Sequence, residues 1–430
     1  MSGLVLLLVG FGVPLALGAP IFIALVTSCL ISLAALGLLT PQIVMQRVYA
    51  GLDSFALLAI PFFLLAGKLM ECGGISRRLV DLAHHLVGGI RGGLGHVAVL
   101  AATLFAGVSG SSVADTAAIG GAVIPKMRRY GYDPAYSASV VAAAGVIGAT
   151  IPPSIPLVLY GVITSVSIGG LFTGGIVPGL MMCLGLILYV YMRGSPERTA
   201  EMDADEEEPG RGLGRVFLAA LPALILPVII VGGIRAGVFN ATEAAAIAVV
   251  YSLAVGLVLR ELRWQNLPEI LYETALSTAM VMIIVGAASL VGYVLTVERI
   301  PAMIAEWLVD SISSPIALLL LINVLLLIAG CFLDGGSAII IFTPVLYPVI
   351  RTFGIDPLFF GVLMSVNLMI GTITPPVGLS LYMAGSIAGV GIAKMVRAIM
   401  PFLTVHLVIL LILTFFPGII LWLPNTLGGN

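Results

Sequence analysis

Apolar runs long enough to cross a lipid bilayer follow one another from residue 4 to residue 423: 4–39, 54–70, 95–125, 135–192, 216–234, 244–259, 275–297, 315–350, 357–391 and 398–423. A spanning helix needs about 20 such residues. No water satisfies the backbone inside a bilayer, so these runs must close their hydrogen bonds internally, as helices do. The composition agrees, with 60% hydrophobic and 9% charged residues and a mean hydropathy of +1.18, against about 25% charged in a soluble domain. The chain reads as an all-α polytopic membrane protein without a sizeable soluble domain. The run 4–39 exceeds the hydrophobic segment of a signal peptide and lacks a charged n-region, so it reads as mature protein, one long helix or two short ones.

The remaining composition excludes several classes. A net charge of -2 with dispersed Lys and Arg leaves no nucleic-acid footprint. Cys29, Cys72, Cys183 and Cys331 stand singly, without zinc-site or disulfide spacing, and read as packing residues. Met181 and Met182 read the same way. SRRLVDLAHHLVGGIRGG (76–93) is too polar to span and reads as a helix lying at the interface.

Comparison of the chain with itself exposes a duplication. IPKMRRYGYDP (124–134) is echoed by YPVIRTFGIDP (347–357): Pro125 matches Pro348, Gly131 matches Gly354, Asp133 matches Asp356 and Pro134 matches Pro357, each 223 residues apart. The same offset, without a gap, carries Gly107 to Gly330, Gly148 to Gly371, and Pro152–Pro153 to Pro375–Pro376. AGVSGSSVADT (106–116) therefore faces AGCFLDGGSA (329–338), each holding one acid, Asp115 or Asp334.

Residues 194–215 form the one long hydrophilic linker, and its acidic run reads as a solvated loop. The expected organisation is a first repeat over 1–193, the linker, and a connecting helix with a second repeat over 216–430. Lys126, Arg128 and Arg129, then Arg260 and Arg263, then Lys394 and Arg397 mark cytoplasmic loops by the positive-inside rule. Counting spans from these puts the Arg351 loop outside. The repeats then have inverted topology, as in many secondary transporters, and the extra span 216–234 helps supply the inversion.

In each repeat a long apolar run is interrupted near its middle by Gly, Ser and Asp, which predicts a re-entrant hairpin, over about 93–130 and 315–352. The runs that follow, about 135–168 and 357–390, break again at GATIPPS (148–154) and GTITPPVG (371–378). Tandem prolines remove amide donors and disfavour helix at the preceding residue, so both segments read as unwound transmembrane helices. Unwound backbone at membrane depth must be buried in protein or line a cavity. Carbonyls and hydroxyls there suit a hard monovalent cation, and helix N-termini suit an anion. Asp115 and Asp334 fit two roles, direct cation ligands or caps that hold the hairpin tips.

Other chemistries fit less well. No GxxxxGK[ST] phosphate loop occurs, which disfavours an ATP-driven pump. A hydrolase built on Ser109, Asp115 and His96 would need His96 to act from about 20 Å along a helix, at ~1.5 Å per residue.

GVSGSSVADTAAIGGAVIP (107–125), GYDPAYSASVVAAAGVIGATIPPSIPLVLYG (131–161) and GIDPLFFGVLMSVNLMIGTITPPVG (354–378) resemble the large membrane subunit of TRAP transporters, the DctM-like family. With the long linker and duplicated layout, the resemblance covers nearly the whole chain. It implies a Na+-driven importer in the bacterial inner membrane, with no cofactor beyond Na+ as coupling ion. The implied partners are a small four-helix membrane subunit (DctQ-like) and an extracytoplasmic substrate-binding protein (DctP-like). The family is also similar to elevator-type ion transporters, whose two hairpins and two unwound helices form a mobile transport domain. Carried over by motif, a first sodium site implicates Ser109, Ser111, Asp115, Gly148, Ile151 and Pro153. A second implicates Gly330, Asp334, Gly371, Thr374 and Pro376. GCFLDGGS has no serine before its acid, so side chains are expected to contribute less at the second site. Ser112, Thr116, Ser154 and Ser337 are the candidate contacts for substrate, expected to be an organic acid such as a C4-dicarboxylate, a sialic acid or a keto acid. A stand-alone Na+ or H+ coupled anion carrier, needing no binding protein, is the alternative.

Overall fold

The computed structural model describes residues 2–194, 212–312 and 314–427, and all its regular elements are helical. The run 4–39 is two helices, α1 (Ser2–Ala16) and α2 (Ile21–Ala35), parted where Gly18 takes a φ of 83° ahead of Pro20. Then come α3 (Pro41–Leu52), α4 (Ala59–Cys72), α5 (Ile75–Val87) and a hairpin of α6 (Leu94–Ser109) and α7 (Ser112–Arg129). The run 135–192 is three helices, α8 (Pro134–Gly148), α9 (Ile155–Thr164) and α10 (Ile168–Arg193). The second half begins with α11 (Leu213–Arg235), α12 (Ala241–Val258), α13 (Leu267–Val297) and α14 (Ile300–Ser311). Its hairpin is α15 (Pro315–Phe332) and α16 (Gly335–Thr352), followed by α17 (Pro357–Gly371), α18 (Leu379–Ala388), α19 (Ile392–Phe415) and α20 (Gly418–Leu427). Most of the expected linker, residues 195–211, lies outside the described residues. Eight helices among the described residues are long and apolar enough to cross a membrane.

The 223-residue offset survives in three dimensions. It maps α7 onto α16 and α8 onto α17 at both ends. The shared GxDP motif explains why. Gly131 and Gly354 take φ values of 75° and 69°, which ends the preceding helix in the left-handed conformation glycine tolerates. Asp133 and Asp356 then cap the next helix, accepting the Tyr136 amide at 2.8 Å and the Phe359 amide at 2.9 Å. Pro134 and Pro357 occupy its first turn, where an amide hydrogen would have no partner. Four residues thus stop one helix and start another.

α8 and α17 form the centre of the bundle. Every residue of α8 from Ala135 to Gly148 is buried, as is every residue of α17 from Phe359 to Gly371. α8 is built from small residues, so α6, α7 and α18 pack closely around it. The halves exchange partners: α7 packs on α18, and α16 packs on α9. Side-chain hydrogen bonds also cross between the halves. Arg128 Nη1 donates to the Ala388 carbonyl at the end of α18 (3.4 Å), while Tyr160 on α9 donates its hydroxyl to the Pro357 carbonyl (2.9 Å).

The polar stretch after α4 is the short helix α5, which buries Ile75, Leu79, Leu82 and Ala83 against α6 and α11. It does not span. Cys29, Cys183 and Cys331 are buried, Cys72 is exposed, and all four are free thiols.

Candidate functional site

Each half brings its hairpin tip onto its own proline break. In the first half α6 ends at Gly110 with a φ of 65°, and Ser111 caps α7 by accepting the Ala114 amide. A Cβ at Gly110 would lie 2.5 Å from the Pro153 carbonyl oxygen, so tip and break are in backbone contact. The Ile155 amide donates to the Gly110 carbonyl (3.4 Å). In the second half the residue at the matching position, Gly378, donates to the Cys331 carbonyl (3.1 Å).

The breaks leave carbonyls without helical partners. Gly148 and Ala149 would bond the amides of residues 152 and 153, both prolines. The Ser154 hydroxyl takes up the Ala149 carbonyl at 2.5 Å while its oxygen caps α9. In the second break the Thr374 amide tightens onto the Gly371 carbonyl (2.9 Å), and the Ser380 amide reaches back to the Thr372 carbonyl (3.0 Å). Gly378 has a φ of 56° and lies against the Thr372 and Thr374 carbonyls, where an added Cβ would fall 3.0 Å and 3.1 Å from their oxygens. Both proline pairs, Pro152–Pro153 and Pro375–Pro376, are joined by cis peptide bonds.

The two acids play different parts. Asp115 lies in the first turn of α7 and is 0% exposed. The Ser109 hydroxyl donates to its Oδ1. Its Oδ2 is buried, meets no hydrogen-bond partner, and lies against Gly148 so closely that a Cβ there would be 1.5 Å away. Asp334 is exposed and caps α16, accepting the Gly336 amide at 2.9 Å and the Ser337 amide at 3.3 Å. The Ser337 hydroxyl also donates to it. The 223 offset pairs Asp334 with Ser111, the cap of α7, and pairs Asp115 with Ala338. They are not counterparts.

Of the residues expected at the first site, Ser109, Ser111, Asp115, Gly148 and Pro153 converge at the tip and break. The Ile151 side chain turns outward onto Gly179 of α10. At the second site Gly330 and Gly371 are in backbone contact, a Cβ at Gly371 falling 2.5 Å from the Gly330 Cα. Thr374 gives its hydroxyl to the Ile370 carbonyl (2.9 Å), and Pro376 is exposed. Of the expected substrate contacts, Thr116 donates to the Ser112 carbonyl (2.8 Å), while Ser154 and Ser337 serve the caps described above. Ser112 alone reaches across the halves. Its hydroxyl lies 2.9 Å from that of Ser380 and 3.3 Å from that of Thr372, and the latter two are 3.2 Å apart. This buried hydroxyl triad joins the first hairpin tip to the second break; nothing in the local sequence marks Ser380 or Thr372 for it.

His96 does not join the site. Its Nε2 lies 2.7 Å from the Arg91 carbonyl, to which it can only donate, at the far end of α6 from Ser109.

Residues 8–419 match the family model of the tripartite ATP-independent periplasmic transporter, DctM component. The chain is 44% identical over 387 residues to the C4-dicarboxylate TRAP transporter large permease protein DctM of Pseudomonas aeruginosa, covering 89% of each chain. It is 39% identical to the sialic acid TRAP transporter large permease protein SiaM of Vibrio cholerae, covering 89% of this chain and 90% of that one. With the isethionate TRAP transporter permease protein DctMQ of Oleidesulfovibrio alaskensis it shares 42% identity, over 95% of this chain and 64% of that longer one. In fold it is similar to the YdaH transporter of Alcanivorax borkumensis, with a TM-score of 0.62, 16% identity and 88% of both chains covered. The chain is therefore a transporter subunit and not an enzyme, and it belongs to the DctM family, the large permease component of tripartite ATP-independent periplasmic transporters.

Proposed function

We propose that this permease imports an organic acid anion by Na+ symport, through elevator-like movement of the two hairpins and two broken helices. The observation that carries the reading is the orphaned Oδ2 of Asp115, a buried carboxylate oxygen facing the break at Gly148. An unpaired charge in such a place is costly unless a cation joins it. Na+ fits the surrounding donors, which are the Ser109 and Ser111 hydroxyls and the carbonyls freed by Pro152 and Pro153. The second ion site is the Gly330–Gly371 contact with the carbonyls near Thr374, held in place by the Asp334 cap. In this scheme the repeats run over 1–193 and 216–430 in inverted orientation.

Relatives named for C4-dicarboxylate, sialic acid and isethionate support an acidic substrate. Ser112, Ser154 and Ser337 stand at the N-termini of α7, α9 and α16, where backbone amides favour an anion, and Thr116 lies one turn into α7. The proposed partners are a DctQ-like small subunit and a DctP-like binding protein, in a bacterial inner membrane. That one relative carries the name DctMQ supports the first.

The test is uptake by proteoliposomes holding the large and small subunits, with and without candidate binding proteins. Uptake should require Na+ and respond to membrane potential, at about 2.3 kcal/mol per charge per 100 mV. Uptake unchanged when choline replaces Na+, with the pH gradient clamped, would refute the coupling.

A further inference from the structure

The exchange of partners between the halves creates a basic recess away from the breaks. Two adjoining clefts, of about 440 Å³ and 340 Å³, share Asp133, Ala135 and Lys394. The larger lies between the α7–α8 loop and the turn joining α18 to α19, and Arg128 lines it. The smaller lies between the end of α10 and the start of α19, lined by Arg193 and Arg397. Among the described residues, four cations thus face one acid. That acid is already engaged, since Asp133 caps α8 through the Tyr136 amide at 2.8 Å. Two of the cations are positioned by the fold: Arg128 donates to the Ala388 carbonyl, and the Arg193 guanidinium sits 4.7 Å from the centre of the Tyr136 ring. The remaining positive charge has no carboxylate partner among the described residues that line the clefts.

The surface leading away from the recess is apolar. α10 and α19 pack together with Gly185 against Val405 and Ile409. Beside that seam α10 exposes Leu184 and Leu188, and α19 exposes Val408, Leu411 and Phe415. A soluble anion has no use for such a surface, whereas an acyl chain does. The charges lie at helix ends, with Arg193 the last residue of α10 and Arg397 in the second turn of α19. The positive-inside rule assigns this end to the cytoplasmic leaflet.

We propose that the recess binds an anionic phospholipid, its phosphodiester held by Lys394, Arg397 and Arg193 and its acyl chains laid along the α10–α19 seam. The site is independent of the ion sites.

The experiment uses the purified full-length chain, delipidated in detergent and supplied with phosphatidylglycerol, phosphatidylcholine or inorganic phosphate. Retained lipid is read by native mass spectrometry and thermal stability by unfolding. Phosphatidylglycerol should be retained and should raise the unfolding temperature more than phosphatidylcholine does. Lys394→Ala/Arg397→Ala should weaken its retention about 30-fold, at ~1 kcal/mol per basic side chain. Lys394→Arg should keep it, and Arg351→Ala, at the opposite loop, should leave it unchanged. The site is overturned if the double variant retains phosphatidylglycerol as the native chain does, or if phosphatidylcholine serves equally. It is overturned also if inorganic phosphate alone reproduces the stabilisation, which would mark a soluble anion as the occupant.

Discussion

The Oδ2 atom of Asp115 occupies the space a side chain at Gly148 would need, an added Cβ falling 1.5 Å from it. Gly148→Ala should push the carboxylate away and break its bond from Ser109. Overpacking of this kind costs about 1–3 kcal/mol. The expected result is a lower unfolding temperature together with loss of any Na+-specific stabilisation, measured by thermal unfolding in Na+ and in K+. Alanine at Gly121, where a Cβ meets nothing within 4 Å, is the control and should change neither.

Charge at Asp115 can be separated from its hydrogen bond. Asp115→Asn keeps an acceptor for the Ser109 hydroxyl but removes the charge. It should fold with near-native stability and raise the Na+ concentration for half-maximal uptake at least about tenfold, a change of ~1.4 kcal/mol. Normal Na+ dependence in this variant would remove Asp115 from the ion site.

Asp334 should behave in the opposite way. Its carboxylate caps α16, and asparagine caps nearly as well. Asp334→Asn should therefore transport close to the native rate, while Asp334→Ala should lose about 1 kcal/mol of stability and most uptake. Equal impairment of both variants in an uptake assay would show that the charge, not the cap, is needed.

The contact between Ser112 and Ser380 ties the first tip to the second break. Ser112→Ala and Ser380→Ala should each cost about 1 kcal/mol of stability, and the double variant should cost less than their sum. Additive losses in a double-mutant cycle would mean the hydroxyls, 2.9 Å apart, do not interact energetically.

Gly378→Ala tests the second break by itself. The residue has a φ of 56° and lies 3.0 Å and 3.1 Å, measured to an added Cβ, from the Thr372 and Thr374 carbonyls. Left-handed backbone costs a non-glycine residue about 1–2 kcal/mol. Uptake should fall and half-saturating Na+ should rise, with the Na+ dependence of uptake as the readout.

Much of this was legible in the chain itself. GxDP announces a helix stop and a helix start with no help from tertiary structure, and the offset between its copies carries the boundaries of α7 and α8 onto α16 and α17. Tandem prolines announce the breaks because they act on their own neighbours. The offset also pairs Asp334 with Ser111, so the difference between the two acids was within reach of alignment alone. What alignment misses is contact across the halves. Ser112 and Ser380 are 268 residues apart, and no local preference of either says that they meet. Likewise the outward turn of Ile151 depends on Gly179, which belongs to another helix.

The exchange of partners between α7 and α18, and between α9 and α16, also governs how the protein can be made. When the ribosome has delivered the first half, α7 and α9 still lack the surfaces they will finally cover, and those surfaces are not yet synthesised. Contacts at such separation form late and slowly, and chains waiting for them are prone to misassembly. A nonsense codon after α10 should thus yield a product that is degraded. Two separately translated halves should rescue one another when co-expressed, because each carries the missing complement of the other.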